Sequence, residues 1–226
     1  MKTSIKVWDL PTRLFHWLLV LSFAAAYLTA ESERLRVIHM TFGYTVAGLL
    51  VFRVLWGLMG TRWAKFSSFW PSPKKAINYG LSLVDKAQAP HYTGHNPLGA
   101  LAVYGLLTLG LATTALGYSY VQLDQEWIAE VHEALANLML TLVFAHVFGV
   151  VISSKKHKEN LAKSMVTGDK QGEPEEAIKH TRPIVALLLL VAVGGFWFTA
   201  WQQPDLLGLK AGEDNEQHQE KEHDHD

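Results

Sequence analysis

Apolar residues along this 226-residue chain gather into five long blocks, roughly 10–30, 37–59, 98–118, 128–152 and 183–201, separated by charged or mixed stretches. A helix that crosses a bilayer needs about 17–25 mostly apolar residues, and each block meets that length. The short polar run at 31–36 predicts a tight hairpin. The longer connection at 60–96 holds Trp63, Phe66, Phe69 and Trp70, aromatic residues suited to the headgroup region. Pro73 opens a short helical pattern with Ile77, Leu81 and Val84 on one side, which reads either as an interfacial amphipathic segment or as an ordinary structured loop. Asn96-Pro97 has the form of an N-cap followed by proline at the first helical position, which starts the third span there. No short-period repeat interrupts this order. The prediction is an all-α integral membrane protein, a four-helix transmembrane bundle plus a fifth transmembrane helix. Its divisions are a core at 1–155, a loop at 156–182, the fifth helix at 183–202 and an acidic tail at 203–226.

Charge fixes the expected orientation. Lys2, Lys6 and Arg13 precede or open the first block. Arg62, Lys65, Lys74, Lys75 and Lys86 lie between the second and third, and Lys155, Lys156, Lys158, Lys163, Lys170, Lys179 and Arg182 between the fourth and fifth. The other side carries only Arg34, Arg36, Lys210 and Lys221. The positive-inside rule then puts the N-terminus in the cytoplasm and the C-terminal tail on the outer side. Lys2 and Lys6 ahead of an apolar run also resemble a signal peptide, but Arg13, His16 and Trp17 inside the run argue against that. A net charge of -1 gives no sign of nucleic-acid binding, and the absence of cysteine excludes disulfides, iron–sulfur ligation and thiolate chemistry.

Of the 11 histidines, four fall inside spans, where ionisable groups are rare and usually functional. Following the chain back and forth puts His16 near the inner end of the first span and His39 near the outer end of the second. The fourth span then holds His132 at the outer level and His146 at the inner one. His132 and His146 are 14 residues apart. That is close to four whole turns, so both project from one side of the helix about 21 Å apart along its axis. Depth alone therefore pairs His16 with His146 and His39 with His132. Two facing imidazoles at two levels are what two haem irons need as axial ligands. Zinc would need three or four ligands converging on one point.

Other residues suit a flat macrocycle between helices. Gly43, one turn beyond His39, and Gly48, Gly110 and Gly149 allow close approach to a backbone, or else simple helix packing. Arg53, 14 residues past His39, falls on the same face at the inner level, and Arg13 lies near His16. Each is a candidate partner for a haem propionate, against the plainer alternative of snorkelling to the interface.

The run Val7-Trp8-Asp9-Leu10-Pro11-Thr12-Arg13 leading into Phe15-His16-Trp17 is one element of a wider pattern. The others are the His39-containing start of the second span, Gly94-His95-Asn96-Pro97-Leu98-Gly99, and the fourteen-residue histidine pair. Over about residues 5–170 the chain thus resembles the bacterial di-haem cytochrome b group, which includes the b-type cytochrome subunit of nickel–iron hydrogenases and the b-561 proteins. The resemblance implies a four-helix transmembrane haem-binding bundle holding two haem b, with His16, His39, His132 and His146 as iron ligands. It also implies exchange of electrons with membrane quinone and a partner protein, and a place in a respiratory chain. His95 would line a propionate or quinone region or be an ordinary loop histidine.

Three functions follow. The first is electron transfer between the quinone pool and a periplasmic cytochrome c or hydrogenase-like protein. The second is a stand-alone quinone-linked enzyme such as a superoxide oxidase, with Arg34 and Arg36 drawing in the anion. The third is a haem-free transporter or metal-handling protein that uses the histidines of the tail.

Overall fold

A computed structural model describes residues 3–84 and 89–207. Helix α1 (Leu10–Leu28) begins at the Asp9 cap, whose side chain accepts a hydrogen bond from the Thr12 amide, with proline in its first turn. Helix α2 (Arg36–Met59) follows a short 3-10 turn at Glu33–Leu35. Helix α4 (Pro97–Leu123) starts at the expected Asn96 cap, whose side chain accepts from the Gly99 amide. Helix α5 (Glu126–His157) and helix α7 (Pro183–Gln202) complete the long elements. All five predicted spans are therefore helices.

Helices α2, α4, α5 and α7 are long and apolar enough to cross a membrane. Helix α1 has spanning length at 19 residues, but Arg13 and His16 dilute its apolar run. At 32 residues α5 overruns the hydrocarbon core, for which about 20 suffice. Its last turn carries Lys155 and Lys156, cations placed where the helix dipole favours them.

Helices α1 and α2 form one hairpin and α4 and α5 another, and the hairpins meet along α2 and α4, while α1 and α5 have no comparable contact among the described residues. Helix α7 lies against α1 and α2, where Leu189 and Val193 pack with Phe15 and Leu49 and the Trp197 indole donates to Thr45 Oγ1 at 2.9 Å. The space between the hairpins is thus left to other side chains, which is where the histidines fall.

One end of the bundle is more built than expected. Strand β1 (Thr3–Lys6) pairs antiparallel with strand β2 (Asp169–Gly172), with Ser4 opposite Gln171. The short helix α6 (Leu161–Thr167) precedes β2, so the 156–182 connection is an ordered cap. Helix α3 (Pro73–Val84) closes over α4 and α5, burying Ala76, Tyr79 and Leu83. The expected face of Ile77 and Leu81 points away from the protein, each residue more than 60% exposed (63% and 62%). Among the four aromatics expected at the headgroups only Trp70 is largely exposed, because Phe69 is buried, Phe66 packs on it and Trp63 donates to the Glu176 carbonyl. The acidic tail lies outside the described residues from position 208 on.

Candidate functional site

The hairpin between α1 and α2 brings the N-terminal part of α2 against the end of α1. There the Nδ1–H of His39 donates to the Ala26 carbonyl at 2.8 Å. Across the bundle, the Nδ1–H of His132 on α5 donates to the Thr113 carbonyl of α4 at 2.9 Å. A carbonyl oxygen only accepts, so each bond fixes the proton on Nδ1 and leaves Nε2 with a free lone pair, the form in which imidazole binds a metal. A second partner on the other ring nitrogen is the usual companion of metal-binding histidine.

The two rings face each other with centroids 6.2 Å apart and planes at 79°. Two imidazoles binding one iron from opposite sides would have centres about 6.2 Å apart, taking about 2.0 Å from metal to nitrogen and about 1.1 Å from nitrogen to ring centre. His39 and His132 line a cavity of about 580 Å³ together with Gly43, Gly110 and Gly117, within the usual range for cofactor sites. A Cβ on Gly43 would meet no protein atom within 4 Å, so chain packing does not demand glycine there. A Cβ on Gly117 would come within 2.9 Å of His132 Cε1, so that glycine makes room for the ring itself. The residues present fit a flat, two-faced ligand held by two imidazoles.

His16 and His146 lie at the other level, near the capped end, within electrostatic reach of each other. His16 packs edge-on against Trp17, whose indole donates to the Met165 carbonyl of α6. Its Nδ1 is buried without a hydrogen-bond partner. A Cβ at Gly149, one turn beyond His146, or at Gly48 on α2 would again meet nothing within 4 Å. His39 and His132 thus stand face to face, while His16 and His146 come within electrostatic reach of each other.

Arg53 is buried at the inner level, 4% exposed. Its guanidinium donates to the Ala64 carbonyl at 3.0 Å and lies 4.9 Å from the Phe66 ring centre and 5.8 Å from that of Phe69. Arg13 donates to the Val166 carbonyl of α6, and its Nε is enclosed without a partner. The Asp9 carboxylate, 1% exposed, takes hydrogen bonds from the Thr12 amide, the Trp56 indole and the Thr61 hydroxyl, tying the start of α1 to the end of α2. His95 packs against Phe69 at 4.0 Å and Trp8 at 4.8 Å between ring centres. Burial, with Arg53 and then Lys170 adding to it, holds the His95 imidazolium well below the ordinary histidine range. Tyr104 on α4 stands beside Phe66 and Phe69, its hydroxyl also buried without a partner. The sequence reading passed over Tyr104, although a hydroxyl two turns into an apolar span was a signal.

Among known proteins, the family model described as prokaryotic cytochrome b561 matches residues 7–168, a stretch that includes all four span histidines and stops short of α7. The chain is 24% identical over 139 residues to the probable Ni/Fe-hydrogenase 1 B-type cytochrome subunit of Escherichia coli K12, covering 50% of this chain and 58% of that protein. It is 22% identical over 216 residues to the probable Ni/Fe-hydrogenase B-type cytochrome subunit of Rhizobium leguminosarum bv. viciae, covering 75% of this chain and 90% of that protein. The corresponding subunit of Azotobacter vinelandii is 29% identical over 135 residues, 48% of this chain and 55% of that protein. The chain thus spans little more than half the length of the Escherichia and Azotobacter relatives. No solved structure matches it significantly.

Proposed function

Because the chain belongs to the prokaryotic cytochrome b561 family, we propose that it is a di-haem cytochrome b of the bacterial inner membrane that carries electrons between the quinone pool and a periplasmic redox partner. Its relatives are b-type subunits of hydrogenases, so a hydrogenase-like protein or a cytochrome c is the partner class. The observation that carries this reading is the outer pair, His39 and His132, 6.2 Å apart, each anchored through Nδ1 to a main-chain carbonyl. His16 and His146 supply the second pair.

Haem supplies a one-electron iron couple when bound. The chain's own residues do the rest. With two imidazoles at each level, a bound haem iron would have both remaining ligand positions taken, which would suit electron transfer rather than oxygen chemistry. The carbonyls of Ala26 and Thr113 hold the outer rings in one tautomer and orientation. A stand-alone superoxide oxidase is less favoured, because Glu31, Glu33 and Glu133 share the outer cavity's lining with Arg36 and oppose an approaching anion.

The test is the haem-to-protein ratio of the purified chain with a reduced-minus-oxidised spectrum. Two low-spin b-type haems are expected. His132→Ala should remove one and His146→Ala the other, with distinguishable spectra. A wild-type chain that binds no haem under ample haem supply would overturn the proposal.

A further inference from the structure

Buried polar side-chain atoms without a partner are rare in folded proteins, and each asks for a reason. Here they concentrate at one level. Thr12 Oγ1, Arg13 Nε, His16 Nδ1, His95 Nδ1 and Tyr104 Oη all lie toward the capped end of the bundle. Three groups at that level, Arg53, His95 and Tyr104, surround the same two rings. Arg53 lies 5.8 Å from Phe69, His95 is 4.0 Å from it and Tyr104 5.9 Å, and Phe66 touches both Arg53 and Tyr104. They come from three elements, α2, the residues just before α4, and α4 itself.

All three can donate a hydrogen bond, and Arg53 carries a fixed positive charge. The Asp9 carboxylate is within electrostatic reach of Arg53, but its oxygens already accept three hydrogen bonds from other donors. The placement of His95 is also enforced from outside. The Lys170 ammonium, reaching in from β2, donates to the carbonyls of Tyr92 (2.9 Å) and Gly94 (3.3 Å) and so pins the segment that ends in His95. His95 is within electrostatic reach of Arg53 and His146.

We propose that His95 and Tyr104, with Arg53, form the carboxylate-binding site for the propionates of the haem held at the His16–His146 level. This rests on the di-haem reading and names what holds that cofactor besides its iron ligands. Propionate carboxylates would give the unpartnered His95 and Tyr104 atoms acceptors, and would give Arg53 an anion besides Asp9. A quinone headgroup, the other ligand of this level, brings only weak acceptors and no charge.

The experiment is a redox titration of both haems in the wild-type chain and in Tyr104→Phe, His95→Phe and His95→Gln, with the inner haem assigned by comparison with His132→Ala. Tyr104→Phe removes one oxygen atom and keeps the packing. Removing a donor leaves the propionate charge less compensated, which favours the oxidised iron. The inner midpoint potential should therefore fall by about 59 mV, a tenfold change for a one-electron couple. The outer potential should stay where it is, the haem content should remain at two, and His95→Gln should recover part of the fall. Unmoved inner potentials in both Tyr104→Phe and His95→Phe overturn the assignment, including where quinone-linked rates drop. A wild-type chain without an inner haem overturns the di-haem reading itself, and is seen before any variant is made.

Discussion

The glycines around the outer histidines separate two roles that sequence alone leaves merged. Gly117 lies where a methyl group would strike His132, whereas Gly43 borders space that no protein atom fills. Gly43→Leu should therefore block the outer site while the helices stay packed: one haem lost, the thermal midpoint nearly unchanged, measured by haem assay and unfolding in detergent. His95 has a pH signature of its own. Its folded-state value is depressed, mainly by burial. The unfolded chain then takes up a proton that the folded chain refuses, so this contribution to stability is whole above the ordinary histidine value of 6.5 and is lost as pH falls below it. Acidifying from about pH 7.5 to about pH 5.5 should lower the unfolding temperature of the wild-type chain more than that of His95→Phe. Equal drops would sink this account. The four span histidines were legible because depth and a fourteen-residue spacing need nothing beyond chain direction. The carbonyl partners of His39 and His132 were not, since which carbonyl a helix offers depends on how its neighbour packs. Arg53 and Arg13 each donate to a main-chain carbonyl, of Ala64 and Val166, partners that no spacing along the chain discloses.

Among the elements, the motif ahead of the first span shows what local sequence can and cannot say. Asp9 was readable as part of a family-like run, and its role as helix cap follows from position. Its hold on Trp56 and Thr61, about fifty residues away, does not. Asp9→Ala leaves the Trp56 and Thr61 donors without their acceptor and should cost about 3 kcal/mol of stability, read as a lowered midpoint in denaturant titration. Replacement of Lys170 by Met should be milder, about 1–3 kcal/mol, from the two carbonyls it leaves unsatisfied. Within the 156–182 loop, the four-residue strand β2 carries too little pattern to be seen in sequence. Strand β2 forms because β1 is there to pair with it, and nothing near either strand announces the other.

At the scale of the whole molecule, the β1–β2 pair ties the N-terminus to the connection that precedes α7. The N-terminus, the 60–96 connection and the 158–182 connection meet at one end, joined further by Arg62 and Trp63 bonding to the carbonyls of Glu175 and Glu176. An even number of crossings, by α1, α2, α4 and α5, would bring the N-terminus and the 158–182 connection to one side in this way, and the same three segments carry most of the lysines and arginines. The chain has no cysteine, so introduced thiols report cleanly. Ser4→Cys with Gln171→Cys, opposite each other in the ribbon, should form a disulfide on mild oxidation. Asp124→Cys, in the α4–α5 turn, should be labelled by a membrane-impermeant reagent only from the opposite side. Labelling of Asp124→Cys and Ser4→Cys from the same side would refute the arrangement.

One consequence belongs to α5 alone. His132 and His146 project from the same continuous helix. The vertical distance between the two proposed irons is therefore a property of one rod of hydrogen-bonded peptide, not of how several helices happen to slide. Partner helices can tilt, breathe or adapt to a thicker or thinner bilayer and change the angle of each macrocycle. The length of the tunnelling step, on which rate depends most steeply, stays set by a ruler with a single material.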